Sequence, residues 1–361
     1  EVVECFRPDL ILCHHLYLLT AVVREAFPQY KTAAICHGTG LRQVKKNSLE
    51  RDYILAHIKE LDMVFCLHRE QREEISRIYG VPGERLEVIG SGFDDSIFRY
   101  MPVQKENGVK RLIYAGKLSE KKGVMSLLRS LTYLEQLQRK DGEQQGQGIG
   151  QPAAPMKIEV WLAGGYGNQL EYETIKKLAD QSPYPVKFLG RLDQPQLAER
   201  MNQADVFVLP SFYEGLPLVV IEALACGLQV VCTDLPGVRP WLEENIGTCA
   251  VKFVPLPAIV NADEPVEQEL PQFERRLAEA IAESLEADGS RQGADGSRQG
   301  ADGSRQGVDS SRQGPDSRPP ETPGGESLAA AGPSIASPLP DLSRISWTGI
   351  SKKILESCNL I

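Results

Sequence analysis

Two carboxylates that stand eight residues apart, Glu214 and Glu222, have the residue types and spacing that point most directly to chemistry. Glu222 interrupts an apolar helical pattern, in which its face is shared by Leu218, Ile221 and Ala225. An ionised carboxylate in such surroundings is costly unless hydrogen-bond donors reach it. A neighbouring backbone amide could supply them, which is a structural role, or a polar ligand could. Glu214 considered alone is a solvated loop charge.

The segment that contains both carboxylates, residues 204–237, has the pattern of a β-α-β unit. An apolar run covers 206–209, a helical pattern covers 217–226 with Gly227 directly after it, and a second apolar run covers 230–232. Proline near the start of a helix and glycine just past its end are typical of such a helix. Because open α/β sheets bind ligands at the carboxyl edge of their strands, the two carboxylates together predict a polar ligand there.

A second candidate group is positively charged. Lys117 and Lys122 lie in a loop, residues 116–123, that follows a strand pattern and precedes a helical one. Two lysines in such a loop can face one anion, such as a diphosphate, or they can simply be solvated. Some enzymes neutralise a diphosphate with a metal held by an Asp-x-Asp motif, and this sequence contains no such motif. The residues alone leave both roles open for the two lysines, but a diphosphate bound here would depend on lysine charge and not on an Asp-x-Asp metal site.

The histidines of the chain all precede residue 69. His37 ends a strand pattern and is followed by Gly-Thr-Gly, whereas His14 and His15 end the preceding strand pattern, where one could line a cleft while the other packs. A single histidine is more often structural than catalytic, so the residues alone leave both roles open for His37. We predict surface or helix positions for His57 and His68.

Several segments resemble the family-4 retaining glycosyltransferases. Residues 214–227 resemble the E-x7-E signature of that family, and the 116–123 loop is similar to its G-[RK]-L-x-x-x-K-G phosphate loop. Further similarities lie at 90–98, 188–190 and 346–350. The resemblance implies an α/β protein with the GT-B fold, in which two Rossmann-like, doubly wound parallel-sheet domains face a cleft.

The resemblance also implies roles for individual residues. Glu222 would hold the ribose hydroxyls of a nucleotide-sugar donor, Glu214 would hold sugar hydroxyls, and His37 would face the sugar that is transferred. The implied catalytic residues are His37, Glu214, Lys117 and Lys122. The implied donor-binding residues are Gly190, Arg191, Gly215, Leu216, Pro217 and Glu222. No cofactor and no metal are implied.

Composition narrows the classes of partner and compartment. The net charge is −9 and no basic face dominates, which argues against a nucleic-acid partner. No run approaches the ~20 apolar residues of a membrane span, and we expect no signal peptide. The eight cysteines are scattered without a C-x-x-C pair, so they are predicted to be reduced core residues of a cytoplasmic protein.

A basic group follows His37, made of Arg42, Lys45 and Lys46. These residues could bind an anionic acceptor, or they could make a peripheral contact with an acidic membrane surface. A solvated basic loop is the alternative.

Composition and resemblance divide the chain into four predicted segments. Residues 1–98 form an acceptor-side Rossmann-like domain, which we expect to be incomplete in an N-terminally truncated chain. Residues 99–286 form the nucleotide-sugar-binding domain, with a loop insertion at 139–155. Residues 287–341 contain a seven-residue repeat with no apolar position except Ala or Val, and predict a disordered linker. Residues 342–361 predict a helix that packs back on the first domain.

The resemblance implies a metal-independent, retaining hexosyltransferase of carbohydrate biosynthesis. Its donor would be a UDP-linked sugar, and its acceptor a sugar, a lipid-linked compound or a small molecule. Two other classes stay open. One is a non-catalytic remnant that binds nucleotide in the second domain only, and the other is a GT-B nucleotide-sugar epimerase.

Overall fold

The computed structural model describes residues 1–106, 108–145, 156–246, 250–261, 263–299 and 342–361. Two parallel sheets and a two-stranded hairpin make up its described β structure. Both sheets belong to one compact unit, which contains the described residues up to Leu285 and those from Leu342 onward.

The first sheet has four parallel strands that lie side by side in chain order. The strands are β1 (Ile11–His14), β2 (Thr32–Ile35), β3 (Met63–Cys66) and β4 (Leu86–Val88). The helices that precede and connect them are α1 (Val2–Phe6), α2 (Leu18–Ala26), α3 (Thr39–Lys46), α4 (Arg51–Ile58) and α5 (Arg69–Tyr79). Strand β2 is buried along its whole length, as expected for a short apolar strand with helices on both faces of its sheet.

The second sheet has six parallel strands in the order β10-β9-β8-β5-β6-β7. The strands are β5 (Val109–Ala115), β6 (Lys157–Ala163), β7 (Val186–Gly190), β8 (Val206–Leu209), β9 (Gln229–Thr233) and β10 (Val251–Val254). The associated helices are α6 (Val124–Gln145), α7 (Gln169–Asp180), α8 (Gln194–Gln203), α9 (Leu218–Ala225), α10 (Val238–Asn245) and α11 (Leu270–Gln299). A hairpin of β11 (Ile259–Val260) and β12 (Glu264–Pro265) precedes α11.

The strand order of the second sheet determines where a ligand can bind. The chain winds outward from β5 through β6 to β7 and then returns to place β8 on the other side of β5. Between β5 and β8 the order reverses, and open α/β sheets bind ligands at the carboxyl ends of the strands at such a switch point. The 116–123 loop follows β5, and the segment that contains Glu214 follows β8.

The last helix of the chain, α12 (Trp347–Ser357), covers one face of the first sheet. Its buried Ile350 and Ile354 pack against Ile35 and Phe65 of that sheet. The side chain of Ser346 caps the helix by accepting a hydrogen bond from the Gly349 amide at 3.3 Å. The other face of the sheet packs against the helices α2 to α5 through a separate cluster of buried apolar residues.

Several elements differ in extent from the sequence-based expectation. The basic segment after His37 is the helix α3 and not a loop. Helix α6 reaches Gln145, so it takes up the first part of the expected insertion, whose remainder at 146–155 lies outside the described residues. Helix α11 continues through the start of the repeat to Gln299, since extending a helix costs much less than nucleating one. The rest of the expected linker, 300–341, lies outside the described residues.

Within the part of the chain that the structure describes, no helix has the length and apolar character needed to cross a bilayer.

The docking of α12 can be tested by truncating its buried face. Ile350→Ala should lower the free energy of unfolding by about 2–5 kcal/mol, because the side chain is 2% exposed and its loss leaves a cavity against the first sheet. Leu355→Ala on the same helix is the control, since Leu355 is 37% exposed and its truncation should cost within about 0.5 kcal/mol. Urea-induced unfolding measures both changes. Equal, small effects would show that α12 does not dock on this sheet.

Candidate functional site

Contact between the loops after β5 and β8 depends on Gly123. This residue ends the 116–123 loop with a φ of +68°, and a Cβ there would overlap the carbonyl oxygen of Pro210. Only glycine combines that dihedral angle with so close an approach. Next to this contact, the amide of Phe212 donates to the carbonyl of Lys121 at 3.1 Å. The two loops at the switch point are therefore held side by side.

The loop after β6 supports Lys117 in a similar way. Gly164 passes so close to the Gly116 carbonyl that a Cβ would overlap it, and the Lys117 side chain runs over Gly167, where a Cβ would meet its Nζ at 2.8 Å. The hydroxyl of Tyr114 donates to the Lys117 carbonyl at 2.8 Å. These contacts place the Lys117 ammonium beside the crevice.

The two loops bring opposite charges together. Lys122 Nζ donates to Glu214 Oε1 at 2.7 Å, with side chains that are 31% and 16% exposed. The pair uses one of three ammonium protons and one of two carboxylate oxygens, so each group can bind a further partner. The lysine predicted to face a diphosphate and the glutamate predicted to face a sugar are thus direct neighbours.

Glu222 lies on α9, where it is 8% exposed. Burial raises the pKa of its carboxyl to about 7. Among the described residues no group donates a hydrogen bond to this carboxylate or forms an ion pair with it, so the structural alternative of a neighbouring backbone amide has no counterpart there. A buried carboxylate without a donor is costly, and ligand hydroxyls could supply the missing donors.

A cavity of about 460 Å³ at the switch point collects most of the predicted site residues. Its lining includes His37, Lys117, Lys122, Glu214, Gly215, Leu216, Pro217 and Glu222. The remaining two, Gly190 and Arg191, are not part of this lining. Gly190 ends β7, and the Arg191 side chain packs on Gly165 in the loop after β6.

His37 follows the carboxyl end of β2, and its imidazole contacts two other histidines. Its Nε2 lies 2.8 Å from Nδ1 of His14, and the rings of His15 and His37 have centroids 5.0 Å apart. Burial, and then the neighbouring His14 and His15, lowers the pKa of His37 to about 4. His37 is therefore neutral at pH 7, and a neutral imidazole can exchange hydrogen bonds with a hydroxyl group.

Two features of the site could not be predicted from the sequence. The His14–His37 contact depends on the pairing of β1 with β2, which aligns His14 with Ile35 just before His37. Asp263, in a polar stretch that reads as a loop, is almost completely buried and pairs with Arg42, Lys46 and Lys121. The pattern of residues along a sequence does not show which charged side chains from distant segments contact each other.

His68, for which a surface or helix position was predicted, lies at the start of a helix and is buried. It is the N-terminal cap of α5, where its side chain accepts from the Gln71 amide at 3.2 Å, and it is 8% exposed. The ring packs so closely on Gly237, at the start of α10, that a Cβ on that glycine would overlap it. Packing between the two sheet domains therefore buries this histidine.

The basic residues after His37 are ion-paired. Arg42 and Lys46 contact Asp263, and Lys45 contacts Glu74. No group of three or more His, Cys, Asp or Glu side chains among the described residues is arranged to hold a metal ion.

Two family models match adjoining parts of the chain. The family model described as "Glycosyltransferase Family 4" matches residues 1–97, and the model described as "Glycosyl transferases group 1" matches residues 99–253. Glycogen synthase of Mycobacterium tuberculosis is 25% identical over 239 residues, which are 64% of this chain and 53% of that protein. The chain thus spans about half the length of the curated relatives it matches.

Solved structures share the fold. Sucrose-phosphate synthase from Thermosynechococcus elongatus aligns with a TM-score of 0.51 and 21% identity, over 83% of this chain and 76% of that one. Anabaena Alr3699/HepE, in complex with UDP and glucose, aligns with a TM-score of 0.52 and 17% identity, over 82% of this chain and 80% of that one. The α/β architecture of two Rossmann-like sheet domains, expected as the GT-B fold, is confirmed.

The protonation of His37 can be measured directly. An NMR titration of the imidazole should give a pKa of about 4. His14→Gln should raise that value, because it removes a neighbouring titratable ring, but should not restore the ordinary 6.5, because burial is the larger cause. A value near 6.5 in the unmodified protein would contradict the buried geometry.

Replacing Glu222 should raise the free energy of unfolding at high pH, whereas most substitutions of buried residues lower it. Its folded-state pKa of about 7 exceeds the ordinary 4.5, so the stability contributed by its neutral form is complete below pH 4.5 and is lost as the pH rises through about 7. At pH 8 ionisation costs up to about 3 kcal/mol, and Glu222→Gln should recover part of that free energy of unfolding. At pH 5 the substitution should change stability little.

Urea unfolding at pH 5 and pH 8 measures both differences. A carboxylate held by backbone amides behaves in the opposite way, because replacing it removes hydrogen bonds. A loss of stability in Glu222→Gln at pH 8 would therefore establish the structural role.

Proposed function

We propose that this chain is a family-4-like glycosyltransferase of GT-B fold and that it transfers a sugar from a nucleotide-sugar donor to an acceptor at the β5/β8 switch point. The observation that carries the proposal is the buried carboxylate of Glu222, which has no donor among the described residues and lines the same cavity as the Lys122–Glu214 pair. A nucleotide-sugar supplies what this arrangement lacks. It has hydroxyl donors for the carboxylates and negative charge for the lysines.

The donor we propose is a UDP-sugar. Its ribose hydroxyls would donate to Glu222, and Gly190 with Arg191 would border its base. The solved structures with the same fold include proteins bound to UDP with glucose and to UDP-2-fluoro glucose, which supports this choice for the fold. Hydroxyl donors favour an ionised carboxylate, so donor binding at pH 7 should release a proton from Glu222.

The diphosphate is proposed to lie between Lys117 and Lys122. Both ammonium groups line the cavity, and they would stabilise the negative charge that grows on the phosphate as the sugar leaves. Lys122 can do so without releasing Glu214, because its remaining two protons are available. No step of this scheme requires a metal.

The sugar is proposed to lie between Glu214 and His37, beside the backbone of Gly215, Leu216 and Pro217. Glu214 has one oxygen beyond its bond to Lys122, and His37 presents a neutral ring whose Nε2 already contacts His14. Together they can orient sugar hydroxyls, and the neutral ring of His37 does so without adding charge to the reacting centre. We propose retention of anomeric configuration and a hexose as the transferred group.

We propose that the acceptor enters from the side of the first sheet. The acceptor is proposed to be a sugar, a lipid-linked compound or a small molecule. The seven described cysteines are free thiols, which supports the cytoplasm as the compartment.

Calorimetric titration with UDP-glucose in the presence of EDTA tests the donor site. Binding should occur, it should strengthen from pH 6 to pH 8 as Glu222 ionises, and Glu222→Gln should weaken it by about 10- to 100-fold, as loss of hydrogen bonds to a charged group does. Glu274→Gln is the matched control, because Glu274 is 4% exposed and burial raises its pKa, yet it lies on α11 and does not line the cavity. Binding that requires Mg²⁺ or Mn²⁺, or equal effects of both substitutions, would refute this donor site.

The reaction itself is tested by adding candidate acceptors. A transferase should release UDP only when an acceptor is present, and the product should keep the anomeric configuration of the donor in its NMR spectrum. A nucleotide-binding remnant would release none, and an epimerase would change the sugar of the donor without an acceptor.

A further inference from the structure

Asp263 is a carboxylate with three cationic partners. Its side chain is 2% exposed, and it lies 2.8 Å from Lys121 Nζ, 3.1 Å from Arg42 Nη1 and 3.2 Å from Lys46 Nζ. Burial alone would raise the pKa of this carboxyl, but hydrogen bonds from Lys121 and Lys46 outweigh burial and hold the pKa below its usual value. Asp263 is therefore ionised at neutral pH.

The three cations come from opposite sides of the cleft. Arg42 and Lys46 are one turn apart on α3, the helix that begins two residues after His37. Lys121 belongs to the 116–123 loop and directly precedes Lys122. Asp263 itself lies beside the β11–β12 hairpin of the second domain. One carboxylate thus connects the helix that follows His37 to the loop that carries Lys117 and Lys122.

Further contacts close this arrangement into a ring. The Arg42 guanidinium carbon lies 5.4 Å from the ring centroid of Tyr213. Tyr213 follows Phe212, whose amide donates to the Lys121 carbonyl at 3.1 Å. Arg42 is therefore held between Asp263 and the segment that leads into Glu214, so a shift of α3 would be transmitted to both loops of the donor site.

The charge balance makes Asp263 necessary for this geometry. Three cations surround a single anion, and without it Arg42, Lys46 and Lys121 would lie within a few ångströms of one another with no buried countercharge. Their side chains are 33%, 43% and 54% exposed, so they would then turn apart into solvent, and α3 and the 116–123 loop would lose the carboxylate that joins them. Asp263 differs from a surface carboxylate, because its own side chain is 2% exposed and it has all three cations as partners at once.

We propose that Asp263 is a positioning residue, which holds α3 and the 116–123 loop at a fixed spacing across the cleft and thereby places His37 opposite Lys122 and Glu214. Its effect on donor affinity rests on the donor site proposed above, whereas its effect on the spacing of the two elements does not. Asp263 does not line the cavity, so it acts through its partners and not on the donor.

The test compares two buried aspartates. Asp205 is the matched control for Asp263, because its side chain is also 2% exposed and lies 3.0 Å from Lys105 Nζ. It accepts from the Arg111 amide at 2.7 Å and directly precedes β8, at the end of the sheet opposite the cleft. Asp205→Asn and Asp263→Asn should both lower stability, and only the second should affect the cleft.

Two measurements separate the variants. In hydrogen exchange, Asp263→Asn should accelerate exchange in α3 and in the 116–123 loop together, and Asp205→Asn in neither. In calorimetry with UDP-glucose, Asp263→Asn should weaken binding about 10-fold, and Asp263→Glu, which keeps the charge, should recover most of that loss. If Asp263→Asn does not fold, Lys121→Ala should loosen the 116–123 loop in the same way, since Lys121 is 54% exposed and dispensable for packing.

Each outcome has one meaning. Equal effects of Asp205→Asn and Asp263→Asn on exchange and affinity would overturn the proposal, as would faster exchange in only one of the two elements. Should the unmodified protein not bind UDP-glucose, the donor site of the proposed function would fall, and the paired change in exchange would still decide whether Asp263 couples α3 to the loop.

Discussion

The close approach of Gly123 to the Pro210 carbonyl is the contact on which the rest of the site depends. It brings together the loops after β5 and β8, which the strand order would otherwise let diverge. Lys122 is adjacent to Gly123, and Glu214 lies four residues after Pro210, so their 2.7 Å ion pair follows from that approach. Any side chain at position 123 would separate the two loops and with them the two charges.

Charge is distributed unevenly around this contact, and the unevenness indicates function. Asp263 has three cations, Glu214 has one, and Glu222 has no described partner. A protein selected for stability alone gains nothing from a buried carboxylate whose pKa is raised to about 7. The cost of burying Glu222 is therefore best explained by a ligand that offsets it, whereas Asp263 is satisfied within the protein and acts on geometry.

Sequence patterns predicted the fold well, because each part of it has a local signature. Apolar runs followed by helical patterns indicated parallel strands, and Pro217 with Gly227 marked the limits of α9 to within one or two residues. The position of Glu222 on an apolar helix face could also be predicted from the sequence. Contacts between distant segments could not be predicted. The burial of His68 against Gly237 and the meeting of Arg42 with Asp263 both depend on how two domains face each other, which no periodicity records.

The chain passes between the two sheet domains twice, and these two connecting segments limit how the domains face each other. The first passes through Gly92 and Phe93, and the second, leading into α12, passes through Ser346 and Trp347. The Trp347 amide donates to the Phe93 carbonyl at 2.9 Å, and a Cβ on Gly92 would meet the indole of Trp347 at 2.5 Å. Because the two passages are bonded side by side, α12 cannot dock on the first sheet without also fixing the linker to the second. The packing of α12 that stabilises the first sheet therefore also limits the position of the second sheet, and with it the position of the cleft residues on that sheet.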